Sequence, residues 1–248
     1  MAQRDEVIRY ANELLEVERF PEYGRPGLQV VGADEVSKVA CGVSASLELF
    51  ERAAAAGAQL VLVHHGIFWR NEPLWIDRRQ RRRLEALFAA DLNLAAYHLA
   101  LDAHSELGNN ALLARALGVE PEGAFGSVGL GGTLSEPATV DTLAARIRET
   151  VGGREPVVYA HGPELVTRVA ICSGAAASDL ILAAHEGYEL FLTGEPGEPS
   201  LHTSRELGIH FVAAGHYATE TLGVQALARH LAERFGLDWE FLPVESPV

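Results

Sequence analysis

The sequence predicts an α/β protein of two similar, intertwined β-α-β lobes related by a pseudo-twofold, with a metal site in the cleft between them. Three observations lead there. Short apolar runs alternate with helical periodicity, two such series align with each other, and histidines and carboxylates recur at the ends of matching runs.

Taken in order, Val7, Tyr10, Ala11, Leu14 and Leu15 recur at helical spacing and predict an amphipathic helix over 3–17. Residues 21–27 break it. A strand over 36–43 leads to an Ala-rich helix over 47–56, stopped by Gly57, and to an apolar strand over 60–63 that delivers His64 and His65. This is β-α-β. The arginine-rich segment reads as a helix over 78–90 and 92–97 as a strand, with His98 and Asp102 at its exit and a helix over 108–117 beyond. Residues 121–132 are rich in glycine and read as a link or change of lobe.

The second half predicts a helix over 142–151, strands over 157–160 and 166–172, a helix over 178–185 and a strand over 189–193 that runs into Gly194-Glu195. A short helix, a strand over 209–213, Gly215-His216, a helix over 221–235 and an edge strand over 239–244 complete the chain. The lobes are placed at 1–126 and 127–248, with about 208–248 returning to the shared site.

The halves align without a gap at an offset of 130 positions. Val39-Ala40 falls on Val169-Ala170, Gly57 on Gly187, and the run 60–63 on Leu190-Phe191-Leu192-Thr193. His64 and His65 therefore fall on Gly194 and Glu195. At an offset of 118, Ala96-Tyr97-His98 falls on Ala214-Gly215-His216, with an acid four residues after each histidine: Asp102 and Glu220. Leu-Ala-Arg follows in both copies, at Leu113-Ala114-Arg115 and Leu227-Ala228-Arg229.

In parallel sheets ligands bind outside the carboxyl ends of strands, where all these groups lie. Adjacent residues leaving a strand point oppositely, so His64 and His65 suit two neighbouring metals. The set His64, His65, His98, Asp102, His216 and Glu220, with Glu195 in reserve, mixes imidazole with carboxylate. That favours Zn, Mn, Fe, Co or Ni over Ca or Mg, and it exceeds what one tetrahedral zinc needs. Two divalent ions sharing a bridging carboxylate would activate water. His98 is either a donor that orients a ligand or a proton carrier. His104, His161, His185, His202, His210 and His230 show no partner pattern and read as surface or core residues. Gly-Glu-Pro-Gly-Glu at 194–198 reads as a loop. No Ser-His-Asp order, P-loop or dinucleotide fingerprint is present.

A net charge of −14 disfavours nucleic acid and anionic membranes as partners. Arg78, Arg79, Arg81, Arg82 and Arg83 are a local exception, either a solvated helix face or a means of steering an anionic substrate. The N-terminus has no signal-peptide pattern, and no apolar run approaches the roughly 20 residues of a membrane span. A cytoplasmic location is expected. Cys41 and Cys172 lie in apolar strand-like runs and read as buried hydrophobes.

The ordered combination Gly27-Leu28-Gln29-Val30, His64-His65, His98 to Asp102, Gly108-Asn109-Asn110, Leu192-Thr193-Gly194-Glu195 and Ala214-Gly215-His216-Tyr217-Ala218-Thr219-Glu220 resembles a known family. This is the family of hexameric dinuclear-metal proteins related to the NGG-interacting factor, whose members carry the label GTP cyclohydrolase 1 type 2 homologue. The match is to the compact bacterial form. The resemblance implies a two-lobed subunit in a toroidal homohexamer and two metals held by His64, His65, Asp102, His216 and Glu220, with Glu220 bridging. It places His98 beside them. It also implies a metal-dependent hydrolase acting on a small anionic substrate such as a nucleotide, with a non-catalytic metal-binding regulatory or scaffold protein as the alternative. Two positions depart from the family pattern: Gly66 stands where many members have Pro, and Ser44 where many have Asp.

Overall fold

Apolar runs such as 60–63 become strands, and three helices begin at a hydroxyl or carboxylate cap. The computed structural model describes residues 1–248. In chain order the elements begin β1 (Ala2–Gln3), α1 (Arg4–Leu14), β2 (Gly27–Val30), β3 (Glu35–Val36), β4 (Lys38–Ser44), α2 (Leu47–Ala55), β5 (Leu60–His65), α3 (Arg78–Ala89) and β6 (Asn93–Ala96). They continue α4 (Leu99–Asp102), α5 (Asn109–Leu117), β7 (Val119–Phe125), β8 (Gly129–Ala138), α6 (Val140–Thr150), β9 (Val157–Tyr159), β10 (Val166–Cys172), α7 (Leu180–His185) and β11 (Leu190–Thr193). Last come α8 (Ser200–Leu207), β12 (His210–Ala213), α9 (His216–Thr219), α10 (Thr221–Phe235) and β13 (Asp238–Phe241). Ser46, Asp77 and Thr139 cap α2, α3 and α6 by accepting the N–H groups of Leu49, Gln80 and Thr142. No helix is long and apolar enough to cross a membrane.

The chain divides into two compact units, Met1–Leu101 with Gly223–Glu245, and Asp102–Leu222 with Ser246–Val248. In the first, a five-stranded sheet runs β13-β4-β5-β6-β2, its first four strands parallel and β2 antiparallel. Phe50, Leu49, Leu87, Val61, Val63 and Leu94 are among the residues of its core. In the second, a six-stranded sheet runs β7-β8-β10-β11-β12-β9, with β10, β11 and β12 parallel and the flanking pairs antiparallel. Leu143, Ile147, Val169, Ile171, Leu190, Leu192 and Val212 belong to its core.

The internal repeat is visible in strand pairing. Val39 faces Leu60 in the first sheet, and Val169 faces Leu190 in the second, the same register at the predicted offset. In both units an antiparallel strand closes against the third parallel strand, β2 on β6 and β9 on β12. The third strands differ in detail. Ala96 pairs with Val63 and Ala213 with Thr193, so the second copy has one more residue before its histidine; Gly215, at φ 98°, lies in that segment.

Two sequence expectations are corrected. Residues 121–132 are no link: they lie largely in the β7–β8 hairpin, which pairs from Val119↔Leu134 to Phe125↔Gly129. Glycine serves there because neighbours occupy the space of a side chain; a Cβ on Gly131 would lie 1.8 Å from the Tyr188 hydroxyl. The observed units also differ from a division at 126/127. The hairpin joins β10 through β8, so the second unit starts at Asp102, and β13 pairs with β4, returning 223–245 to the first unit.

Candidate metal centre

In the first unit the parallel strand ends bring three imidazoles together. His64 and His65 are the last residues of β5, and His98 follows β6 by two residues. One ring nitrogen from each lies within 4.8 Å of the others, an arrangement that can hold a metal ion. The His64 and His65 rings lie with centroids 4.8 Å apart and planes tilted by 52°, although both residues belong to β5. His98 stands 4.9 Å from His64 and 5.4 Å from His65 by ring centroid.

Each ring is fixed from behind. The carbonyl of Tyr97 can only accept, so its 2.9 Å contact with His64 Nδ1 requires a proton on that nitrogen and leaves Nε2 as the electron-pair donor. Ser44 faces His65 across the β4–β5 pair, and its hydroxyl lies 3.0 Å from His65 Nδ1. Thus Ser44 orients the His65 ring here. Buried Glu22 places Oε2 3.3 Å from His98 Nδ1.

The second unit holds two buried carboxylates and an imidazole of its own. Asp102 ends α4, 5% exposed, and accepts Asn109 Nδ2 at 2.8 Å and the Ser173 hydroxyl at 3.1 Å on the same oxygen. Asn110 locks that corner by accepting the Ser173 N–H at 2.8 Å and donating to the Val128 carbonyl at 2.9 Å. His216 opens α9, and Glu220 follows that helix, 2% exposed. His216 Nδ1 bonds Glu195, while Nε2 lies 3.2 Å from Glu220 Oε1. Hydrogen bonding to Glu220 raises the His216 pKa to about 9, aided by Glu195 and opposed by burial.

Close backbone approach makes room for Glu220. Gly174, at φ 69°, passes where a Cβ would sit 2.4 Å from Glu220 Oε1. Its carbonyl accepts the Gly194 N–H at 2.9 Å and the Thr193 hydroxyl at 3.1 Å, tying together the ends of β10 and β11.

A model of the Duf34/NIF3 (NGG1p interacting factor 3) family matches residues 2–247. The chain belongs to the Duf34/NIF3 family. Curated relatives of this NIF3 protein include "GTP cyclohydrolase 1 type 2 homolog" from Escherichia coli K12, 42% identical over 98% of both chains, and that from Pasteurella multocida, 40% identical over 98% of both. Among solved structures, protein ybgI, described as of unknown function, superposes with a TM-score of 0.95 at 42% identity, covering 100% of both chains. A Thermus thermophilus protein gives 0.92 at 38% identity with the same coverage.

The donor set fits a transition metal. Nitrogen and carboxylate oxygen suit Zn, Mn, Fe, Co or Ni better than the all-oxygen shells of Ca or Mg. An oxygen-bearing group behind each imidazole is the usual companion of a metal-bound histidine. Of the predicted residues, His64, His65 and His98 converge within the first unit, and His216, Glu220 and Glu195 within the second. Asp102 sits in its own buried pocket of donors.

Sequence reasoning missed Glu22, Asn109 and Ser173 as orienting groups. Asn109 and Asn110 carried a signal in Gly108-Asn109-Asn110, whereas Glu22 lies in an aperiodic loop and carried none. His104, His210 and His230 hold structure: His104 accepts two turn N–H groups, His210 bridges Gly162 and Pro163, and His230 stacks on Tyr10. Of the arginine run, Arg79 pairs with Glu72, and Arg81 with Glu85 along exposed α3.

Proposed function

We propose that this chain is a metal-dependent hydrolase in which His64, His65, Asp102, His216 and Glu220 hold two divalent transition-metal ions. The observation that carries this reading is the tethering of the imidazoles at Nδ1, with an acceptor-only carbonyl fixing the His64 tautomer, together with the burial of the Asp102 and Glu220 carboxylates within the second unit. Such ions lower the pKa of bound water to near neutrality and so supply hydroxide. The protein's own groups do the rest: His98 accepts or returns a proton, Asn109 and Ser173 hold Asp102, and Glu195 holds His216.

The relatives' name supports a purine nucleotide as substrate. Water adding at C8 of GTP would open the imidazole ring, and a second water would release that carbon as formate. Arg78, Arg79, Arg81, Arg82 and Arg83 would attract the triphosphate. The reading includes a cytoplasmic homohexamer. The family resemblance supports it, and two free, buried cysteines agree with a reducing compartment.

The experiment is formate release by the metal-loaded chain from GTP, a nucleotide panel and phosphate esters. Turnover that Asp102→Ala and Glu220→Ala abolish is expected. No turnover on any of them overturns the hydrolase reading. One observation favours the second reading, a metal-binding scaffold: Leu74, Trp75 and Ile76 are exposed by 105%, 70% and 67%, an apolar segment open to a partner. Chelation that dissociates the oligomer, in a protein without turnover, would select it.

A further inference from the structure

The loop between α1 and β2 carries a buried carboxylate that the function above does not use. The Glu22 side chain is 5% exposed, and its Oε1 accepts the Ala100 N–H at 3.0 Å. Its Oε2 lies 3.3 Å from His98 Nδ1. Both of these atoms are sealed from solvent and neither has a hydrogen-bond partner, so the 3.3 Å approach is what joins them. A carboxylate oxygen facing a bare ring nitrogen would set two lone pairs against each other in a dry site, a desolvation loss that natural interiors avoid. A proton between them removes the conflict.

We infer that Glu22 is a positioning residue that holds His98 as the Nδ1–H tautomer, leaving Nε2 as the ring's lone-pair nitrogen. The surroundings keep the ring in place. Trp69 meets His98 edge-on at 5.1 Å and 88°, Tyr23 contacts it at 6.4 Å, and the His64 and His65 rings stand on other sides. A cleft lined by Glu22, Arg25, Gln29, His64, Trp69 and His98 opens at the pair.

The same device occurs at His216, whose Nδ1 meets Glu195. His98 and His216 are equivalent in the internal repeat, yet their carboxylates are not: Glu195 falls on His65, while Glu22 comes from the N-terminal loop. The chain has thus reached one arrangement, imidazole backed by carboxylate, by two routes. The tautomer is a property of the metal-free chain. Only its use, Nε2 as the acceptor of a proton at the metal site, rests on the function proposed above.

The test is a long-range proton–nitrogen NMR correlation of the full, metal-free chain labelled in histidine nitrogen, at a pH where His98 is neutral. The Nδ1–H pattern is expected for His98 in the native chain. Glu22→Leu removes the acceptor and should move the ring toward the Nε2–H form that dominates the free histidine side chain; Glu22→Gln, which keeps an acceptor oxygen, should hold most of the native pattern. Should Glu22→Leu not fold, the native spectrum decides alone. An Nε2–H pattern in the native chain, or an unchanged one in folded Glu22→Leu, overturns the inference. Metal stoichiometry of the separately reconstituted chain is independent of this spectrum, so either reading can fail without the other.

Discussion

His216 sits between two carboxylates, and a cation that binds its Nε2 must displace the proton shared with Glu220. With a pKa raised to about 9, chiefly by the Glu220 hydrogen bond, this ring is almost wholly protonated at pH 7. Raising the pH from 7 to 8 then multiplies the neutral fraction about ninefold, against about 1.3-fold for an imidazole with the ordinary pKa of about 6.5. Apparent metal affinity should rise by about the same ninefold factor, roughly 1.3 kcal/mol. The assay is Co(II) or Zn(II) competition against a chromophoric chelator in a non-coordinating buffer. NMR titration of the metal-free chain gives the midpoint directly. Stability runs the opposite way. The folded pKa lies above the unfolded value, so the proton's contribution is full below about 6.5 and lost as pH rises through about 9. The metal-free Tm should fall across that window. A midpoint near 6.5, or an affinity change below twofold between pH 7 and 8, refutes the reasoning.

Leu62 is fully buried at the centre of β5, so Leu62→Ala should cost about 2–5 kcal/mol, read as a lowered denaturant midpoint at unchanged slope. Asn109→Ala removes the 2.8 Å donor to Asp102 and should weaken metal binding by about 10–100-fold while the fold persists, measured by the same chelator competition. Cys172 has its thiol pushed up to about 12 by burial, and burial raises Cys41 as well. Neither should react with a thiol reagent until denaturant is added, and rapid labelling of the native chain would contradict that.

What the sequence made legible was what periodicity and repetition encode. The runs at 60–63 and 190–192 are strands because nothing polar interrupts them, and both pair with the preceding strand at the same offset. The β7–β8 hairpin was hidden because Gly129, Gly131 and Gly132 resemble a linker, yet they are pressed by neighbouring backbone and by Tyr188. The return of 223–245 to the first unit was hidden too, since β13 is short and its partner β4 lies some 200 residues earlier. At the candidate site the ligating types announced themselves, as His-His and His-x-x-x-acid at strand ends. Their supports did not. Tyr97 acts through a carbonyl, Ser44 through cross-strand pairing, and Glu22 through a loop without pattern, all of which exist only once the chain has folded.

The central claim is that this chain's histidines and carboxylates hold divalent transition metals, and the most direct measurement is metal content per chain by elemental analysis. Native protein, His64→Ala and His216→Ala would be reconstituted with Zn, Mn, Fe, Co or Ni and desalted. The account predicts two ions per native chain and a fall in both variants while their far-UV circular dichroism is retained. Native protein that emerges with no metal above background, or variants that retain the full complement, would contradict it.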